Sequence, residues 1–286
     1  MQRERIADDI YVFVSDLYVQ ATATVIVTTE GVVLFDTLLY PEETRAIRRF
    51  VENRLNNRVA YVINSHYHAD HTAGTCLFPE ARIVSNTLCR DLLDRRGRDS
   101  LERARTMSPD LRDVELILPE IIFDRGHFTL HVGNKTFEMW LTPGHSMDSM
   151  VCLVKEDRTL LGADTMMPLP YFVDGSYDDF LVSLAQLRNG NYENVVQGHG
   201  DVILRGEIED KISSDIDYLL ALRDAVDAAL NEQQVEKALN AIDVERCGKS
   251  RILLNGAVEQ LHRQNVMSLA SQRCLLMRSQ NKMLNE

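Results

Sequence analysis

The stretch Ile63–Thr75, "INSHYHADHTAGT", places three histidines and an aspartate within six residues, behind an apolar run and ahead of a glycine. His66, His68 and His71 offer imidazole donors and Asp70 a carboxylate, ligand types that divalent zinc, iron and manganese accept. The spacing predicts a loop. Zinc-binding histidines on a helix are usually spaced i, i+4, whereas an i, i+2 pair points one way only where the backbone is extended or turning. His66 and His68 can therefore share one ion while Asp70 and His71, further round the turn, face a second. Four ligands so close cannot all wrap one tetrahedral ion, and a catalytic site keeps a position open for water, so further ligands are expected from elsewhere.

Working outward, "VAYVIN" just upstream is an almost continuous apolar run of strand length, which predicts a strand buried on both faces. Before it, "IYVFV", "TATVIVTT" and "GVVLFDT" read as a strand meander from Ile10 to Thr37. Pro41 then opens a helix over "EETRAIRRFVENRL", with acids in its first turn and arginines later, in keeping with the helix dipole. Downstream, Thr87 to Glu120 is dense in mixed charge and reads as a solvated helical face with internal ion pairs. A second strand block follows in "FTLHV", "TFEMWLT", "MVCLVKE" and "RTLLGAD", with "VGNK" and "KEDR" as turns. "SYDDFLVSLAQLRNG" has a Ser/Asp start, helical apolar spacing and a glycine stop, and it leads to the short strand "ENVVQ".

After Arg205 the pattern is helical to the end. Residues 232–286 carry eight Lys/Arg against six Asp/Glu, whereas the rest of the chain is strongly acidic. This predicts a main domain over residues 1–206 and a helical region over 207–286, whose first helix can pack with the main domain. The helical region is also the expected surface for a homodimer.

Two of the remaining histidines share a context. His145 in "TPGHS" and His199 in "VQGHG" each follow an apolar strand and a glycine, and Asp164 in "LLGADT" holds the same kind of position. Ligand sites on a rigid sheet are commonly built at such strand ends. His127, His131 and His262 read as ordinary surface or half-buried residues, with His127 and His262 the two that could reach a pocket.

At this point the pattern resembles the metallo-β-lactamase superfamily: HxHxDH at His66, His68, Asp70 and His71, then His145, Asp164 and His199 in order, preceded by Asp36 in "GVVLFDT". The resemblance runs from about Ile10 to Gly200. It implies an α/β fold of the α+β kind, a four-layer αββα sandwich, here with a C-terminal helical extension. It also implies two divalent metal ions, zinc first and iron or manganese as alternatives. His66, His68 and His145 would hold one ion, Asp70, His71 and His199 the other, and Asp164 would bridge them. Asp36 would orient a ligand without being one. Two such ions lower the pKa of a bridging water, supply hydroxide and polarise a carbonyl or phosphoryl oxygen. The expected activity is hydrolysis of a small-molecule ester, thioester, lactone or related compound, with Asp70 also relaying the proton.

Within the family, true β-lactamases generally lack the bridging aspartate, so Asp164 argues against a dedicated antibiotic-hydrolysing enzyme. Glyoxalase II usually has a glutamate where this chain has Gly200. Lactone hydrolases of the fold place a tyrosine soon after the bridging aspartate, and Tyr171 is the candidate substrate-binding residue nearest that position. Flavodiiron oxidoreductases normally have glutamate at the position of His68. β-Lactamase-like and phosphodiester hydrolysis are further alternatives. The principal rival is a persulfide dioxygenase with one iron on His66, His145 and Asp164. A non-catalytic binding protein would show eroded ligands, and none is eroded.

A net charge of −12 repels a phosphate backbone, so nucleic acid is not an expected partner. No apolar run approaches the ~20 residues of a membrane span, and the N-terminus lacks a secretory h-region, which together predict a cytoplasmic protein without a membrane partner. Five cysteines with no CxxC pair indicate neither a disulfide framework nor a zinc knuckle.

Overall fold

In the computed structural model, which describes residues 1–283, two sheets face each other and helices cover both outer faces. The first sheet is built from β1 (Gln2–Ala7), β2 (Ile10–Val14), β3 (Thr22–Thr28) and β4 (Gly31–Phe35), paired antiparallel in sequence order. Helix α1 (Pro41–Asn53) then crosses over to β5 (Val59–Ile63), which lies parallel to β4. The expected helix start holds: Pro41 sits in the first turn with Glu42 and Glu43, and Ile47, Phe50 and Val51 point inward at helical spacing. Helix α2 (Ala69–Thr72), β6 (Arg82–Asn86), α3 (Thr87–Leu92), α4 (Arg98–Met107) and β7 (Ile121–Phe123) complete this half, with β5, β6 and β7 parallel.

The second sheet has the order β13-β12-β11-β10-β9-β8, from β8 (His127–Val132), β9 (Lys135–Leu141), β10 (Met150–Val154), β11 (Thr159–Ala163), β12 (Asn194–Gln197) and β13 (Val202–Leu204). Helix α5 (Tyr177–Leu187) makes the crossover that lets β11 and β12 run parallel, and Ser176 caps it by accepting from the Asp179 amide. Three helices follow: α6 (Ile208–Leu230), α7 (Val235–Asn240) and α8 (Val258–Met283).

Three apolar layers hold this arrangement together. Ile10, Ile26, Val33 and Phe35 of the first sheet meet Phe137, Met139, Met150 and Cys152 of the second in the central layer. Leu34, Val62 and Ile83 turn the other way and pack on α1 through Ile47 and Val51. On the far side, Val151, Leu160 and Val195 pack on Phe180 of α5, Tyr218 and Leu222 of α6 and Leu269 of α8. The αββα sandwich expected from the sequence is therefore present, and the C-terminal helices form its outer layer on the second sheet, in one core with α5.

Four elements were not anticipated. β1 is a polar edge strand, "QRERIA", exposed along most of its length, so it has no alternation to read. β6, β7 and β13 are short and sit in segments that the sequence reading left unassigned. No helix of the described residues is long and apolar enough to cross a membrane.

Candidate metal centre

The parallel strands decide where the site lies. Asp36 follows β4, the His66–His71 segment follows β5, Asp164 follows β11 and His199 follows β12, so carboxyl ends from both sheets meet at one edge of the sandwich. His145 arrives from the β9–β10 connection. The sheets are tied together at this edge: the Thr22 amide donates to the Gly198 carbonyl at 2.8 Å, and the Met150 amide to the Ser65 carbonyl at 3.1 Å. Backbone strain accompanies the ligands, with Asp36 at φ 57° and Ala163, next to Asp164, at φ 42°.

The expected loop is half right. His66 and His68 lie on non-helical backbone, but Asp70 and His71 belong to the single helical turn of α2, which begins after His68. The turn aims the two pairs differently, as the i, i+2 spacing required. His66, His68 and His145 converge, as do Asp70, His71 and His199, and in each group the ligand atoms lie within 4.8 Å of one another. Asp164 sits between them. Its carboxylate is 3.2 Å from His145 Nε2, 3.4 Å from His199 Nε2 and 3.2 Å from His71 Nε2.

Each imidazole has its outward nitrogen engaged. His145 Nδ1 donates to the Tyr171 carbonyl at 2.7 Å and His199 Nδ1 to the Val19 carbonyl at 2.8 Å. His71 Nδ1 donates to Asp36 at 3.0 Å. Ser65 donates its hydroxyl proton to Asp36 at 2.7 Å and accepts from His66 Nδ1 at 2.9 Å. His68 is turned the other way round, with Nε2 at 3.3 Å from Asp174 and Nδ1 facing inward. Five imidazole nitrogens and two carboxylates thus point into one space.

That space fits cations. His71 Nε2 and Asp164 Oδ1 are buried and, although 3.2 Å apart, make no hydrogen bond of good geometry with each other or with any other group. His68 Nδ1 lies 3.0 Å from His66 Nε2 and 2.9 Å from His145 Nε2, a crowding of acceptors that shared protons satisfy only in part. Burial and the neighbouring carboxylates set the proton affinities of these histidines in opposite directions. Burial pushes His66 well below the ordinary histidine value and His145 down to about 4. Burial acts on His71 and His199 in the same sense but loses to the carboxylates of Asp164 and Asp70, which hold His71 well above the ordinary value and His199 at about 10.

The remaining sequence candidates fall into place. Asp36 accepts three hydrogen bonds, from the Ser65 amide, the Ser65 hydroxyl and His71, and so orients a histidine of each triad. Tyr171 lines the cavity in front of the triads, but its hydroxyl donates to Gln264 of α8 and its carbonyl is what holds His145. His127 and His131 are exposed on β8. His262 is buried among the C-terminal helices, bonded to Tyr218 and the Ile242 carbonyl, and does not line the cavity.

The sequence reading missed Ser65, Val19 and Asp174. Asp174 also binds the Tyr67 hydroxyl and Arg96. It lies 106 residues from His68 in a plain Asp-Gly turn, and two of the other partners are backbone carbonyls, which no residue type announces.

The sequence model of the metallo-beta-lactamase superfamily matches residues 18–199, more than half of the chain, and spans every one of the seven candidate ligands. The chain belongs to the metallo-beta-lactamase superfamily. Among relatives, a beta-lactamase-like protein 2 homolog from Caenorhabditis elegans is 21% identical over 63% of this chain, and the match spans only 54% of that protein. A metallo-beta-lactamase type 2 from Bacillus cereus is 26% identical over 66% of this chain and 70% of its own. Among solved structures, the sec-alkylsulfatase Pisa1 from Pseudomonas sp. superposes with a TM-score of 0.74 at 15% identity, over 94% of this chain and 50% of that one. That likeness is one of fold, and its coverage takes in the C-terminal helices.

Proposed function

We propose that this chain is a dinuclear metal-dependent hydrolase acting on a small-molecule ester, thioester, lactone or related substrate. The observation that carries the reading is the complete set of inward-facing ligands. A single iron on His66, His145 and Asp164, as in a persulfide dioxygenase, would use only part of that set.

His66, His68 and His145 would hold one ion, Asp70, His71 and His199 the second, and Asp164 would face both. Bound there, two cations, most simply zinc, lower the pKa of water and polarise the scissile carbonyl. The protein's own groups do the rest. Asp36, Ser65, Asp174 and the Tyr171 and Val19 carbonyls fix which nitrogen of each histidine faces inward. Asp70, partly open to the cavity, is placed to accept the proton lost by the attacking water and return it to the leaving oxygen or sulfur as the carbon–heteroatom bond breaks. The cavity of about 340 Å³ in front of the triads is walled by Tyr18, Leu39, Met167, Tyr171 and Leu261, which suits a small organic substrate.

The test is metal content of protein expressed without supplementation, followed by a panel of esters, thioesters, lactones, phosphodiesters and β-lactams. Two zinc ions per chain are expected, with the best activity reduced at least about a hundredfold in Asp70→Asn and His145→Ala. One iron and no zinc, or full activity in both variants, would overturn the reading.

A further inference from the structure

A second cavity, of about 200 Å³, lies beside the one at the triads. It opens between the His66–His71 segment and the arginine-rich stretch that follows β6. The two cavities share Leu39, His68 and Ala69 as lining, so they lie side by side with His68 at their border. Their chemistry differs. The space at the triads is polar at its floor, whereas the second chamber is lined chiefly by Leu93, Leu101, Ala104, Leu111, Val114 and Leu116, with Tyr67, His68, Thr72, Ser100 and Glu115 as its polar members.

The arginine-rich stretch builds this chamber with its inner face. Leu93, Gly97, Leu101 and Ala104 recur at i, i+4, i+8 and i+11, one stripe of a helix whose other faces carry the charges. A π-helical turn over Leu93–Gly97 joins α3 to α4 and keeps the stripe facing the cleft. Small residues on both walls hold the space open: Ala69 and Ala73 on one side, Gly97 and Ala104 on the other. A methyl added at Gly97 would already approach Leu116 to 3.2 Å. Protein interiors usually close such gaps, since unfilled apolar space forfeits packing. Here Ala73, Leu111 and Val114 form a buried cluster of their own beneath it, set apart from the main core.

We infer that this chamber binds the hydrocarbon chain of the substrate, so that the compound hydrolysed at the triads carries a linear or lightly branched aliphatic tail that passes over His68 and Ala69. The inference rests on the hydrolase reading for the position of the scissile group, and on the adjacent cavities with their shared lining for the tail. A volume of about 200 Å³ accepts roughly six or seven methylene groups, each taking about the space of a water molecule in the liquid. The one carboxylate of the lining, Glu115, is solvent-exposed, so an ionic tail would find no charged partner among the apolar side chains and would lose its hydration there.

The test separates binding from turnover. Straight-chain alkanoates from acetate to decanoate are titrated calorimetrically into the metal-loaded full chain, and matching p-nitrophenyl alkanoates are assayed for hydrolysis. Kd is expected to fall about three- to fourfold with each added methylene, the ratio given by ~0.8 kcal/mol per buried CH₂, and then to level off once the chamber is full. Ala104→Phe, which fills the chamber, should flatten the series, and Leu101→Ala should move the plateau to longer chains. A Kd independent of chain length in the wild-type protein, or an unchanged slope in a folded Ala104→Phe, would overturn the inference. Chain-dependent binding with no ester, thioester or lactone cleaved would uphold the chamber and remove the hydrolase reading. Cleavage that ignores chain length, with flat binding, would do the reverse.

Discussion

Replacing Asp36 by Asn changes one atom and should disable a ligand in each triad. The wild-type carboxylate accepts at 2.7 Å from the Ser65 amide through Oδ1, and through Oδ2 at 2.7 Å from the Ser65 hydroxyl and 3.0 Å from His71 Nδ1. An asparagine that keeps its oxygen on the Ser65 amide aims its NH₂ at the other two. His71 must then offer a lone pair at Nδ1 and carry its proton on Nε2, the inward atom. Ser65 must pass its own proton to His66 Nδ1, which places the His66 proton on Nε2 as well. The flipped amide avoids this but sets NH₂ against the buried Ser65 N–H, a donor left unmade at a cost of about 1–3 kcal/mol. Loss of an outer partner of a metal-binding histidine typically weakens the metal tenfold to a hundredfold, about 1.4–2.7 kcal/mol, which agrees with that range. Competition against a chromophoric chelator should show the loss, with the melting temperature of the metal-free protein telling the two amide orientations apart. The tautomer change spares that temperature, and the flipped amide lowers it. Ser65→Ala, which touches only the His66 branch, should weaken one ion more than the other. Unchanged metal stoichiometry with both Kd values within threefold of wild type would refute the reasoning.

Gly198→Ala should lose metal and stability together, because a Cβ there would lie 1.9 Å from Asp164 Oδ1 and 2.6 Å from the Ala163 carbonyl carbon, so both metal content and melting temperature must fall. Asn265 of α8 donates to the Pro170 carbonyl and accepts from the Phe172 amide on either side of the residue that holds His145, so Asn265→Ala should destabilise by about 2–4 kcal/mol in urea unfolding and weaken metal binding; normal values for both would refute the clamp. Asp215, fully buried, accepts from Lys211 and Lys249, and Asp215→Ala should cost about 3–5 kcal/mol by leaving two ammonium groups facing each other. Finally, metal binding near neutral pH should release about two protons per chain, since His71 and His199 are held above the ordinary histidine value by Asp164 and Asp70 and must be neutral to ligate. Calorimetry in buffers of different ionisation heat checks the count. The same shift fixes a stability trend without metal: the His199 contribution is complete below about pH 6.5 and is lost as pH rises through about 10.

Legibility in the sequence followed burial. The strand read from "GVVLF" is buried throughout, and the run "VAYVI" was recognised because both faces of β5 meet protein. β1 carries polar residues on an exposed edge, so its pairing with β2 left no apolar signal. β7 and β13 have three residues each, too few for a period to register. In the charged stretch from Thr87 to Glu120 the arginines and acids dominated the reading, and the inner apolar stripe was overlooked.

What the sequence determined by itself was a candidate ligand set, because side chains able to bind metal have distinctive chemistry and here each follows a strand whose apolar run is readable. His66, His68, Asp70, His71, His145, Asp164 and His199 could all be named before any of them was placed. Only the tertiary structure decided which nitrogen of each histidine faces inward. That choice is made by a serine, two carboxylates and two backbone carbonyls, and all but Ser65 lie 26 to 180 residues from the histidine they hold. Contacts at such separations are set by how the two sheets and the C-terminal helices pack, and packing leaves no local pattern in the chain.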